Sequence, residues 1–181
     1  NQMLEHEILK SQSQEAINQE AEQKPPDGLV LRLRVIKPDG RTLEPEPVSG
    51  KPTLTMPNLE IGDYVEIEHV SSGEGDGDRG RRYRGPTWLF REEDKGYWRS
   101  EFTVVSPKDK PLTIETRGKV PAPAVRERGT YVERRWRVDE SPPLPNEPDS
   151  VPPGEYLPSV RIGWGVSLAD TVQRFSDLAS D

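Results

Sequence analysis

Few side chains in this 181-residue chain are equipped for acid–base or metal chemistry. There is no cysteine, and the two histidines, His6 and His69, lie far apart in the sequence. No carboxylate cluster at metal-ligand spacing accompanies either one, so each reads as a packing or hydrogen-bonding strand residue rather than a zinc ligand or general base. Glu66 and Glu68, two positions apart, fall on one face of a strand. Such a pair serves acid–base catalysis only when burial raises one of the two pKa values. Nothing adjacent in sequence supplies that burial, and the two read as a solvated strand face. The run Glu74-Gly75-Asp76-Gly77-Asp78 offers oxygen ligands on a flexible backbone but lacks the spacing and closing Glu of an EF-hand loop. No catalytic residue, metal or cofactor is assigned, and the chain reads as a non-enzyme.

Arg79, Arg81, Arg82, Tyr83 and Arg84 could grip phosphates and stack a base. A net charge of −7 and a pI near 5.1 oppose that use, so nucleic acid is not an expected partner. Arg81, Arg82, Tyr83 and Arg84, together with Trp88, form instead a candidate ligand or flap loop. Trp98 and Trp136 occupy alternating strand positions and read as core, whereas Trp164, between Gly163 and Gly165, is a candidate interdomain contact.

Periodicity supplies the framework around these residues. Leu54 to Val70 is a turn feeding a strand: Val65, Ile67 and His69 share one side, and Tyr64, Glu66 and Glu68 the other. Leu29, Leu31, Leu33 and Val35 alternate with Val30, Arg32, Arg34 and Ile36 up to the turn Lys37-Pro38-Asp39-Gly40, predicting a hairpin that returns through Leu43. Pro45, Pro47 and Pro52 keep the next segment out of a central strand. Trp98, Ser100, Phe102 and Val104 share a face, then Leu112, Ile114 and Thr116, then Val132, Trp136 and Val138 with Arg134 interposed. The stretch 71–85 has almost nothing to bury and reads as a flexible loop; prolines crowd 139–158, predicting an extended surface crossing. Ser167 reads as an N-cap, and Leu168, Val172, Phe175 and Leu178 form one apolar stripe at helical spacing. The fold class this predicts is all-β, an antiparallel β-sandwich with long loops, a Pro-rich crossing and one C-terminal helix. Residues 1–24 carry both signals: Leu4, His6 and Ile8 alternate, while Leu4, Ile8, Leu9 and Ala16 make a helical stripe favoured by Gln and Glu.

Hydrophobic content of 31%, with 19 Pro and 15 Gly, predicts a folded centre with irregular loops. No run approaches the roughly 20 apolar residues of a membrane span, so no membrane insertion is expected. A first residue other than Met reads as a fragment or a processed product.

Four segments, Val35 to Gly40, Met56 to Glu66, Leu144 to Pro148 and Pro158 to Gly163, resemble in order and spacing the bacterial domain-of-unknown-function family 3857, which sits immediately before transglutaminase-like domains. The resemblance implies strands over 1–24 and a β-sandwich module over 1–163. It further implies that 164–181 leads, by its helix, towards a downstream papain-like domain that bears the Cys, His and Asp. Trp164, Leu168, Val172, Phe175 and Leu178 would be the interdomain contacts. The implied role is a non-catalytic, extracytoplasmic accessory module that positions its neighbour or mediates protein interaction. The alternative is an autonomous carbohydrate- or peptide-binding sandwich, with a protein or carbohydrate ligand.

Overall fold

In the computed structural model, residues 2–73, 83–92, 95–144 and 156–165 are described. They are all-β, with antiparallel sheets and one short helix, as the alternating patterns predict. The chain divides into two compact units, Asn1–Glu74 and Gly75–Asp181, each with its own apolar cluster.

The first unit contains β1 (Gln2–Lys10), α1 (Gln14–Glu20), β2 (Glu22–Gln23), β3 (Leu29–Ile36), β4 (Thr42–Leu43), β5 (Glu46–Pro47), β6 (Leu54–Thr55) and β7 (Tyr64–Ser72). The larger sheet has the order β1-β7-β3-β4 and the smaller one β2-β6-β5. Leu33, Val35, Met56 and Val65 are the buried centre, with Leu9, Leu43, Leu54 and Ile67 packed around them. The predicted β3–β4 hairpin forms, with Val35 opposite Leu43, and Gly40 closes its turn at φ +85°, a conformation few other residues adopt. Pro47 sits in the edge strand β5, where its missing amide costs no ladder bond.

The second unit contains β8 (Tyr83–Leu89), β9 (Tyr97–Pro107), β10 (Thr113–Arg117), β11 (Ala124–Arg128), β12 (Tyr131–Ser141) and β13 (Ser159–Trp164). Two three-stranded sheets, β10-β13-β8 and β11-β12-β9, share one cluster of Phe90, Phe102, Val104, Trp136, Val160 and Ile162. Both sheets contribute inward side chains to it, which is the sandwich arrangement. Trp136 is 1% exposed; its ring stacks on Phe102 at 5.8 Å between centroids, and Phe102 stacks on Trp88 at 5.3 Å.

Several expectations need correction. Residues 14–20 are helical rather than strand: Ser13 caps α1 by accepting from the Ala16 amide at 3.1 Å, and the Gln- and Glu-rich segment follows its own propensity. Trp98 is 77% exposed although Ser100, Phe102 and Val104 on its side of β9 are buried, because it lies near the start of the strand, past the end of the apolar cluster. Leu29 and Leu31 are exposed, unlike Leu33 and Val35; a bulge between Val30 and Arg32 resets the alternation. Ser71 and Ser72 belong to β7, and Tyr83 to Gly85 to β8, so strands extend into both ends of the predicted loop 71–85. Asp139 to Ser141 likewise continue β12 rather than beginning an extended crossing. No alternation marks Ala124 to Arg128, all exposed, and β11 forms there by pairing with β12. The predicted C-terminal helix, with Leu168, Val172, Phe175 and Leu178, lies outside the described residues, as do Arg81 and Arg82 and most of the Pro-rich stretch.

Candidate functional site

In the first unit the pairing of β1, β7 and β3 writes rows of side chains across the outer face of the large sheet. Ile8, Glu66 and Arg34 make one row, and His6, Glu68 and Arg32 the next. Glu66 is 5% exposed, which corrects its assignment to a solvated face. Its carboxylate accepts from Arg34 Nε at 2.5 Å and from His6 Nε2 at 2.9 Å. Arg32 holds Glu68 in the same way one row on. Burial of Glu66 opposes ionisation, but the Arg34 and His6 hydrogen bonds and charges outweigh it and hold the carboxyl below its ordinary range.

A hydrogen bond from Nε2 to a carboxylate leaves His6 Nδ1 as the free ring nitrogen, on a side chain 41% exposed. That is the orienting half of a hydrolytic triad, carboxylate and imidazole, and the face around it supplies apolar Leu4 and Ile8 rather than a nucleophilic hydroxyl. The arrangement fixes strand register. Two arginines two apart in β3, opposite two glutamates two apart in β7, are the sequence signal for this ladder.

Glu66→Gln keeps the shape and removes the charge, leaving Arg34 without its carboxylate. The expected cost is about 1–3 kcal/mol, read by denaturant unfolding followed by far-ultraviolet circular dichroism. Because the folded pKa is lowered from 4.5, the wild-type contribution is present above that value and disappears as pH falls through the folded pKa. Glu66→Gln should flatten that acid-limb slope; an unchanged slope would show that Glu66 contributes nothing to it.

A second cluster staples the turn after β3 to the loop before β7. Lys37 Nζ donates to Asp63 at 2.7 Å and to Glu60 at 3.2 Å, and also to the Asn58 carbonyl. Asp63, 1% exposed, accepts in addition from the Glu60 amide at 2.7 Å, and its backbone carbonyl accepts from the Ser11 amide at 2.9 Å. Asn58 adopts φ +50° to bring its carbonyl to the lysine. Lys37 and Asp63 stand in the two segments, Val35 to Gly40 and Met56 to Glu66, on which the family resemblance leans, and their role here is architectural.

In the second unit Tyr83 and Trp88 both lie in β8 and pack against the apolar cluster; Trp88 Nε1 donates to Ser100 Oγ at 3.2 Å. Trp88 therefore belongs to the core rather than to a flap, while Arg84 is exposed. Trp164 ends β13 opposite Tyr83, half-buried, with Lys110 Nζ 4.7 Å from its ring centroid. Trp98 and Tyr131, the most exposed described aromatic rings of this unit, lie near opposite ends of the β9–β12 pairing and do not form one platform.

Among the described residues, no group of three His, Asp or Glu side chains gathers as a metal-ligand set, and no helix is long and apolar enough to cross a membrane. Comparison of the chain with family models, curated proteins and solved structures finds no match.

Proposed function

We propose that this chain is a non-catalytic β-sandwich accessory module that scaffolds or presents a transglutaminase-like domain of the same polypeptide, in an extracytoplasmic setting. The observation that carries this reading is the place of β13. It is the central strand of its sheet, bonded on both sides, with Val160 and Ile162 in the core and Trp164 at its last position. A strand bonded on both sides holds its last residues in place rather than letting them fray as an edge would, which supports this reading. Trp164, half-buried with one ring face under Lys110, is the contact with the downstream domain in this reading. Leu168, Val172, Phe175 and Leu178 supply the apolar stripe for the same contact.

The test compares wild type with Trp164→Ala in two polypeptides, residues 1–181 alone and the chain continued through its downstream domain. In the first, the substitution should cost about 1 kcal/mol or less, the scale of an exposed cation–π contact. In the second, the downstream domain's thermal midpoint should fall by several degrees, and cleavage between the two domains should accelerate. Equal effects in both polypeptides, or a downstream domain without Cys, His and Asp in a papain-like arrangement, would sink the proposal.

A further inference from the structure

The formal charge of this chain is segregated. Asn1–Glu74 holds 7 Lys and Arg against 14 Asp and Glu, a net −7, whereas Gly75–Asp181 holds 18 of each and is neutral. Within that neutral unit, one surface is basic. The outward positions of the β11-β12-β9 sheet carry five arginines, Arg99, Arg126, Arg128, Arg135 and Arg137, against three carboxylates, Glu101, Glu133 and Asp139.

Those carboxylates show how the face treats an acid. Glu133 accepts from Arg128 Nε at 3.0 Å and lies 3.5 Å from the Arg135 guanidinium; Asp139 accepts from Arg137 Nε at 2.9 Å and from Arg99 Nε at 3.3 Å. Glu133 and Asp139 are each already shared between two guanidiniums and Glu101 lies 3.6 Å from Arg135, and each guanidinium has five N–H donors, so donor capacity exceeds what the face itself consumes. Arg126 stands opposite Glu133 across the strands, exposed, and makes no ion pair with a described residue. Exposed apolar side chains lie among the charges: Val105 is 60% and Tyr131 49% exposed.

We infer that this face docks an acidic segment of another polypeptide, extended, with carboxylates at alternate positions about 7 Å apart and aliphatic side chains between them. The carboxylates would take the unused arginine donors, and the aliphatic groups would cover Val105 and Tyr131. A phosphodiester strand meets the first requirement but not the second, since it brings no aliphatic side chains to cover Val105 and Tyr131. The inference goes beyond the scaffold reading and holds whether or not that reading does.

The experiment uses residues 1–181 and fluorescence anisotropy with three labelled probes: a peptide alternating Glu and Val, its Lys and Val counterpart, and a single-stranded oligonucleotide of the same charge. The acidic peptide should bind saturably and best. Its affinity should fall at least about tenfold in the Arg126→Gln/Arg137→Gln double variant and again at about 0.5 M salt, where screening shortens the reach of exposed charges. Val105→Glu should weaken binding comparably while leaving the thermal midpoint unchanged, which separates loss of the surface from loss of the fold. Binding of the acidic peptide no tighter than its lysine counterpart, or unchanged by these variants, would overturn the docking surface. Tighter binding of the oligonucleotide would overturn the polypeptide as its occupant.

Discussion

Replacing Trp136 by alanine will destabilise the second unit by about 3–5 kcal/mol, the range for truncating a large buried aromatic whose neighbours cannot collapse into the space. Trp136 is 1% exposed and ends the stack that runs through Phe102 to Trp88. Alanine removes the β12 ring that stacks on Phe102 of β9, so Phe102 loses a stacking partner on one side and the inter-sheet layer loses its largest buried side chain. All four tryptophans lie beyond residue 75, so tryptophan emission reports this unit alone. Urea unfolding followed by emission of the remaining three should show the loss, and a midpoint shift worth less than about 1 kcal/mol would contradict the packing described.

Asp63→Ala is the second large effect, at about 3–5 kcal/mol, the cost of removing one partner of a buried ion pair. The substitution strips Lys37, 11% exposed at its side chain, of its buried carboxylate acceptor and leaves the Glu60 amide without its carboxylate. Lys37→Met in the same background should recover part of the loss, because the ammonium that has lost its buried carboxylate, and keeps only the exposed Glu60 as counter-charge, then disappears with it. The pair also sets an alkaline limit. Hydrogen bonding to Asp63 raises the Lys37 pKa above 10.5 against the opposing effect of burial. Its stabilisation is therefore complete below the unfolded lysine's pKa and is lost as pH rises through the higher folded value. Glu60 also raises the Lys37 pKa and remains in Asp63→Ala, so the alkaline slope of stability should shrink in that variant; an undiminished slope would assign it to another group.

The legible part of the fold was the part encoded by neighbours in sequence. Alternation in Tyr64 to Val70 and in Thr130 to Val138, the Pro-Asp-Gly turn and the prolines after it all state local preferences of a backbone; β7, β12 and the β3–β4 hairpin appear where those preferences put them, and Pro47 falls in an edge strand rather than a central one. Within 1–24 the strand signal of Leu4, His6 and Ile8 holds in β1, and only over 14–20 did the helical propensity of the Gln- and Glu-rich segment prevail over the strands implied by resemblance. Trp98 failed for a reason alternation cannot express: period two gives the side of a strand a residue faces but not how far the opposing layer extends. The extra residue at Leu31 likewise broke a pattern that looked continuous.

The charged rows were half legible. Arg32, Arg34, Glu66 and Glu68 carry complementary spacing in the sequence, but only the antiparallel register of β3, β7 and β1 sets Arg34 beside Glu66 and brings His6 over it, turning a solvated-looking glutamate into a buried, doubly bonded one. The same holds for the arginine field, whose members come from three strands that no short window contains. Side-chain period, turns and caps are properties of successive residues, so the chain settled its strand content, its hairpin and the facing of most positions by itself. Burial of a charge and the gathering of like charges depend on partners tens of residues away, and only pairing in three dimensions decided them.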